Sequence, residues 1–408
     1  MAGSDQHTSP STRVPRPLPP AAATSAGGWP AVLAVASAVF TVTATETMPI
    51  GLLPEMAADL RVSEGTIGLT VTLYGVFAGL LAPVLTAATR RLDRKRLLIV
   101  ILAVFVAGNV LTATATNCTW LMLVRLLVGF IHGVLWAIVA SIAVRLVPAN
   151  LSVRATAVVF SGISLASVIG VPLGTMVGQW LNWRAAFWGL AVCSALALGA
   201  TAVLMPAMPP RGGVFLSDLP RLLRRGNLRA ALAVTAVVVI AHYAAYTYVT
   251  PFLLRNVGLA PGMIGSLLLC FGVAGVAGNF LAGAVIGRMT LRTVVIGLIA
   301  GTGVSLALLL AAGTWQPGAV AFLLSWGIAY SALPVALQTL IFRSVPHARE
   351  AATSLYVLSF NVSIALGALA GSVALDRSGP SMVMTTAVAL CAVALLLATF
   401  LRREECGA

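Results

Sequence analysis

Long apolar stretches alternate with short polar ones along this chain, and each stretch is too long to be a strand. A hydrocarbon core of about 30 Å requires about 20 consecutive apolar residues in a helix. Runs of that kind fall at 30–52, 65–88, 97–116, 119–144, 155–179, 185–206, 230–254, 262–287, 293–313, 317–342, 351–375 and 380–401. The pattern predicts twelve membrane spans. Only Thr116, Asn117 and Cys118 separate the third run from the fourth, and only the turn-forming segment Gly313 to Gly318 separates the ninth from the tenth. Such breaks predict tight hairpins.

Composition supports the same reading. Of 408 residues, 59% are apolar and 9% are charged, against about 25% charged in an ordinary soluble domain. So few charges cannot cover a surface in water, so the apolar excess faces lipid and the lipid bilayer is the first expected partner. The net charge of +14 does not suggest a nucleic-acid partner, because the basic residues sit in short clusters between the runs. Cys118, Cys193, Cys270, Cys391 and Cys406 show no paired spacing, which speaks against a disulfide framework or a metal site. Residues 1–29 are rich in Pro, Ser, Thr and Ala and lack an apolar core, so they read as a disordered tail rather than a cleaved leader.

Charge also orients the spans. With the N-terminus inside, twenty of the 25 basic residues fall on the cytoplasmic side, among them Arg90, Arg91, Arg94, Lys95, Arg96, Arg221, Arg224, Arg225 and Arg229. Arg61, Arg184, Arg255 and Arg377 fall outside, and Arg125 falls within a run. This bias predicts a multi-pass protein of the cell membrane, inner or plasma, with both termini cytoplasmic.

The chain also repeats itself. At an offset of 197 residues, Pro54 superposes on Pro251, Ile67-Gly68 on Ile264-Gly265, and Gly75 on Gly272. The same shift superposes Ala155-Thr156 on Ala352-Thr353, Gly170 on Gly367 and Gly174 on Gly371. One shift serving both ends of each half implies a duplicated six-helix unit, the architecture of secondary transporters that rock two halves about a midplane site. The expected fold is all-α, with twelve helices in two pseudo-symmetric bundles. The expected organisation is a cytoplasmic tail (1–29), a first bundle (30–206), a cytoplasmic linker (207–229), a second bundle (230–401) and a short cytoplasmic tail (402–408).

Several local motifs resemble those of one family. Thr45-Glu46-Thr47-Met48-Pro49-Ile50-Gly51-Leu52-Leu53-Pro54 is similar to the end of the first span in bacterial major facilitator transporters, with the drug:proton antiporter-1 branch, including its sugar-efflux and purine-nucleoside-efflux members, as the nearest resemblance. Arg125-Leu-Leu-Val-Gly129-Phe-Ile-His132-Gly133 resembles that superfamily's fourth-span motif, Gly170-Val-Pro172-Leu-Gly174 its fifth-span antiporter motif, and Trp183-Arg184-Ala-Ala-Phe187 its entry to span six. The resemblance covers about residues 30 to 401 and implies the major facilitator fold and proton-coupled efflux. The loop after the second run departs from it. The family's Gly-x-x-x-Asp-Arg-x-Gly-Arg-Arg/Lys pattern places an Asp where this chain has Arg90 and a Gly where it has Asp93. The basic end, Arg94, Lys95 and Arg96, is kept as a candidate conformational clamp.

An ionisable residue within a span is costly and by default marks a pathway or coupling site. Glu46 is the single carboxylate that falls within a run, away from its ends. Glu46 and Arg125 each lie about six residues from the outer end of their runs, roughly 9 Å deep at 1.5 Å per residue, and equal depth permits a pair. Three roles are open to Glu46: a proton carrier whose affinity depends on its distance from Arg125, half of a static ion pair, or an outer-vestibule residue without a role. Arg125, Gly129, His132 and Trp136 share one helical face that is expected to line a cavity. His132 is a candidate for substrate or proton contact, or for a plain interhelical hydrogen bond, and His242 stands in the same position in span seven.

His242, Tyr243 and Tyr246, with Trp326 and Tyr330 in span ten and Tyr356 and Asn361 in span eleven, form a candidate pocket for amphipathic or ring-bearing ligands. Ordinary packing is the competing reading for these aromatics. Gly170, Pro172 and Gly174 are expected to allow close packing or bending rather than to touch substrate.

Other classes fit poorly. The lone lysine, Lys95, follows Arg94, so no phosphate-cradling Gly-x-x-x-x-Gly-Lys-Ser/Thr loop exists and no span offers a Schiff-base lysine. Gly-x-Ser-x-Gly, His-Glu-x-x-His and Cys/His clusters are absent from the sequence. The expectation is therefore not an enzyme, with no catalytic residue, cofactor or metal, but a monomeric secondary transporter whose partners are protons and a small-molecule substrate. Efflux by antiport is favoured, and an uptake symporter or uniporter of the same fold is the alternative.

Overall fold

The computed structural model describes residues 28–210, 222–286, 288–345 and 349–401. Residues 1–27 and 402–408 of the expected tails, and residues 211–221 of the expected linker, lie outside the described residues, while Gly28 and Trp29 already belong to the first helix. The rest is helical, and twelve helices are long and apolar enough to cross a membrane. They are Gly28–Gly51, Glu64–Leu81, Arg94–Ala113, Cys118–Trp136, Arg154–Trp180 and Trp183–Leu204 in the first half, and Gly226–Thr247, Pro261–Leu281, Leu291–Ala312, Gln316–Ile341, Leu355–Ser378 and Pro380–Thr399 in the second. These are spans one to twelve below. Large apolar side chains such as Leu196, Val203, Phe280 and Phe400 stand exposed on the outside of the bundle, as a lipid-facing surface requires.

Span boundaries follow local chemistry. Asn117 begins span four by accepting the Trp120 N–H at 2.8 Å, and Asn182 begins span six by accepting from Ala185 at 3.0 Å. Asp93 accepts from the N–H groups of Lys95 and Arg96 at 2.9 and 3.1 Å. The acid that stands where the resembled motif has glycine is thus the cap of span three. One element was not legible beforehand. Span one stops at Gly51, and a short helix, Leu53–Leu60, follows with Pro54 in its first turn, where a missing N–H costs nothing.

The repeat seen in the sequence is a repeat of packing. Gly170 and Gly174 of span five lie against Ala44 and Met48 of span one, so closely that a β-carbon at Gly174 would overlap the Met48 sulfur. Their counterparts Gly367 and Gly371 of span eleven lie against Ala244 of span seven. Small residues four apart let two helix backbones approach. The stretch Ala166–Gly170 is also a π-helical bulge directly before Pro172, which fits a proline that cannot close the bond to Val168.

The halves meet along two seams. Span two runs against span eleven, with Gly75 and Gly79 on the backbone of Asn361 and Val362. Span eight runs against span five, with Gly272 on Val168. At the end of the bundle away from both termini the seam is tied by polar groups. Glu64 pairs with Arg255, Ser63 donates to Asp376 at 3.0 Å, and Ser372 donates to the Gly65 carbonyl at 3.0 Å. That end is closed.

Candidate functional site

Pro49 lies inside span one, and it has no N–H with which to close the helical bond to the Thr45 carbonyl. Arg125 of span four supplies the missing donor, its Nη1 meeting Thr45 O at 2.7 Å. Asn109 of span three donates to Thr45 Oγ1 at 3.0 Å and to Ser194 Oγ of span six at 3.2 Å. The backbone turn that carries Glu46 is therefore held by spans three and four, with span six behind Asn109.

Glu46 projects beside that turn, 11% exposed, with Oε2 3.6 Å from Nε2 of His132. This corrects the pairing expected from depth. Arg125 commits its bonded N–H to the backbone of Thr45, and acts on Glu46 only through space. An orphaned buried carbonyl costs about 1–3 kcal/mol, and the guanidinium is the group that satisfies it. Its plane also lies 5.4 Å from the ring centroid of Phe187 and 6.0 Å from that of Tyr74.

His132 is held on both ring nitrogens. Trp136 Nε1 donates to Nε2 at 2.7 Å, and the Tyr74 hydroxyl lies 2.6 Å from Nδ1. Gly129 permits this: a β-carbon there would lie 2.6 Å from the Tyr74 carbonyl, so only glycine lets span two approach closely enough. Trp136 in turn leans on Phe160, with centroids 6.2 Å apart. The face of span four formed by Arg125, Gly129, His132 and Trp136 is therefore engaged with spans one, two and five.

In the second half the aromatic residues converge on His242. Tyr330 stacks on it, Tyr246 stacks at 5.1 Å, and Tyr243 and Trp326 meet it edge-on at 5.1 and 5.2 Å. His242 Nδ1, Trp326 Nε1 and the Tyr330 hydroxyl are buried without a hydrogen-bond partner. Tyr243 stands where the 197-residue offset puts the counterpart of Glu46, and its phenol lies within electrostatic range of that carboxylate. Tyr356 is close to the cluster, with its hydroxyl on the Pro334 carbonyl at 3.0 Å. Asn361 donates its amide to the Val357 carbonyl of its own helix at 2.9 Å, and its backbone faces Gly75 at the seam.

Two bundles of six spans, related by one offset, are the architecture of a known group. The family model of the Major Facilitator Superfamily matches residues 35–253 and again 231–406. The chain belongs to the Major Facilitator Superfamily. Solved structures agree in fold. The human organic anion transporter MFSD10 (TETRAN) is 15% identical, with 93% of this chain and 100% of that one covered, at a TM-score of 0.69. The nucleoside transporter NupG is 13% identical, with 90% and 97% covered, at 0.72. The peptide transporter POT in complex with alafosfalin is 14% identical, with 90% and 94% covered, at 0.71. The chain is a membrane transporter of the Major Facilitator type, and its relatives are transporters rather than enzymes.

In this Major Facilitator transporter the basic end of the loop before span three is partly structural. Arg94 is buried, its N–H donates to the Met208 carbonyl at 2.9 Å, and its Nη1 reaches Thr89 O at 3.3 Å. Lys95 and Arg96 contribute their backbone N–H groups to the Asp93 cap. Sequence reasoning missed Tyr74, Asn109 and the Glu64 to Arg255 tie. Tyr74 and Asn109 carried a weak signal as polar groups within apolar runs, whereas Glu64 and Arg255 look like ordinary loop charges. Among the described residues, no three His, Cys, Asp or Glu side chains converge as a metal ion requires.

Proposed function

We propose that the chain is a proton-coupled exporter of the drug:proton antiporter-1 kind, with Glu46 as the group that exchanges its proton for substrate. The observation that carries this reading is the position of Glu46: a mostly buried carboxylate on a turn pinned by spans three and four, 3.6 Å from His132 and in range of Tyr243 from the opposite half. A carboxylate at the junction of two rocking halves changes neighbours as they move, and its proton affinity changes with them. The basic bias supports cytoplasmic termini, which would put the Glu64 to Arg255 tie on the outer side.

The aromatic cluster around His242 supports a substrate with ring or apolar surface and a few polar atoms, because it offers stacking faces and three unsatisfied polar groups but no charge. One Arg and one Glu cannot replace the hydration of a multiply charged ligand. Neutral or singly charged drugs, secondary metabolites, nucleosides or small sugars fit. The solved relatives are described as transporters of organic anions, nucleosides and peptides, a spread consistent with a fold that hosts many cargoes.

The test is proton movement in proteoliposomes under an imposed pH gradient, with a panel of such compounds. Wild type releases protons on addition of at least one compound, and Glu46→Gln, still folded, does not. Retention of substrate-driven proton movement in Glu46→Gln removes Glu46 from the role. In cells, accumulation that falls on expression and is restored by a protonophore supports export, and accumulation that rises instead selects uptake.

A further inference from the structure

The hydrogen bonds on His132 fix where its proton sits. An indole nitrogen can only donate, so the bond from Trp136 Nε1 to His132 Nε2 at 2.7 Å makes Nε2 an acceptor. In the neutral ring the single N–H is then on Nδ1, donating to the Tyr74 hydroxyl 2.6 Å away. Glu46 Oε2 waits 3.6 Å from the same Nε2. That lone pair therefore has two claimants, and the indole holds it.

We propose that Trp136 is the residue that couples substrate to proton: its indole N–H locks Nε2 of His132 against the proton of Glu46, and a substrate acceptor atom that draws the indole away opens the lock. The inference rests on the coupling role of Glu46. With Nε2 free, the O–H bond of protonated Glu46 breaks, its electron pair stays on the carboxylate oxygen, and an Nε2–H bond forms. The product is an imidazolium beside the carboxylate it came from, with Nδ1–H still bonded to Tyr74.

Trp136 is placed for this work, being half-buried rather than sealed in the core and bounded on its other side by Phe160 of span five. The charged and titratable groups that bear on the pair are Tyr74 of span two, Arg125 of span four and Tyr243 of span seven. His132 is fully buried, and burial disfavours a standing charge, so the imidazolium is a transient relay and not a resting state. A ligand that engages the lock needs a hydrogen-bond acceptor, such as a carbonyl, ether or hydroxyl oxygen, next to a surface that stacks on indole.

The experiment uses the full chain with ¹⁵N-labelled histidine, the His132 resonances being those lost in His132→Asn. Wild type should show His132 as the neutral Nδ1–H tautomer, and an Nε2–H tautomer overturns the proposal outright, whether or not any variant folds. Trp136→Phe keeps the ring and removes the donor. Loss of one neutral hydrogen bond is about a tenfold effect, so Trp136→Phe proteoliposomes without substrate should dissipate a pH gradient about tenfold faster than wild type. Adding Glu46→Gln to that variant should restore the wild-type rate. A tight Trp136→Phe variant, or a leak that survives Glu46→Gln, overturns the lock. Glu46→Gln alone separates the two ideas: if it abolishes substrate-driven proton release while Trp136→Phe stays tight, the coupling role stands and the lock falls.

Discussion

Arg61 and Gly258 close equivalent helices with the same left-handed backbone, at φ of 55° and 75°, and they stand at the 197-residue offset that relates the halves. The second half meets this conformation with glycine, whereas the first half meets it with a residue whose β-carbon disfavours it by roughly 1 kcal/mol. Arg61→Gly should therefore stabilise the detergent-solubilised protein by about 0.5–1 kcal/mol, read as a higher Tm. An unchanged or lower Tm would mean that the Arg61 side chain offsets its backbone cost.

The bond between Arg125 and the Thr45 carbonyl yields a double-mutant test. Arg125→Leu leaves that carbonyl unsatisfied and should cost about 1–3 kcal/mol. Pro49→Ala supplies the missing N–H at the same carbonyl, so in the Arg125→Leu background it should return about 1 kcal/mol. Strict additivity of the two substitutions in thermal unfolding would contradict the shared acceptor.

Close contact between spans one and five makes Gly174 intolerant of size. A side chain there overlaps Met48, as one at Gly371 overlaps Tyr248, and overpacking of this kind typically costs about 1–3 kcal/mol. Gly174→Leu and Gly371→Leu should both lower the yield of monodisperse protein, whereas Gly189→Leu, at a site with nothing within 4 Å of a β-carbon, should not. Equal yields for all three would refute the packing role of the motif.

Asp59 provides a pH-dependent tie between the short helix Leu53–Leu60 and span six. Partial burial pushes its carboxyl up, but hydrogen bonds from Arg184 at 2.6 Å and Trp183 at 3.1 Å, with the Arg184 charge, outweigh burial and hold it below its ordinary value. A depressed folded value means that the tie contributes in full above the unfolded carboxylate range, about pH 4, and is lost as pH falls through the folded value. The group is partly exposed, so the effect stays under about 1 kcal/mol. Asp59→Asn should lower Tm slightly at neutral pH, and the difference from wild type should shrink as pH falls below the unfolded carboxylate range and through the depressed folded value. A difference that persists there would assign it to packing rather than to charge.

The twelve spans, the duplicated halves and the presence of a carboxylate within span one were legible in the sequence, because transfer into lipid depends on the composition of about 20 contiguous residues. Pro172 likewise marked a local bend, since a missing N–H acts on the residue four positions earlier whatever surrounds it. Neither kind of information names a partner. Depth alone only permitted a pair of Glu46 and Arg125, whereas the tertiary structure gives Arg125 to the Thr45 carbonyl and sets Glu46 beside His132. Tyr74, which holds His132, and Arg255, which meets Glu64 across the halves, come from distant segments. The sequence determines where the chain crosses the membrane because that free energy is local and summed along the helix. Which polar groups meet is decided by the folded structure, since a buried donor takes the nearest unsatisfied acceptor, and packing of helices far apart in the chain brings that acceptor near.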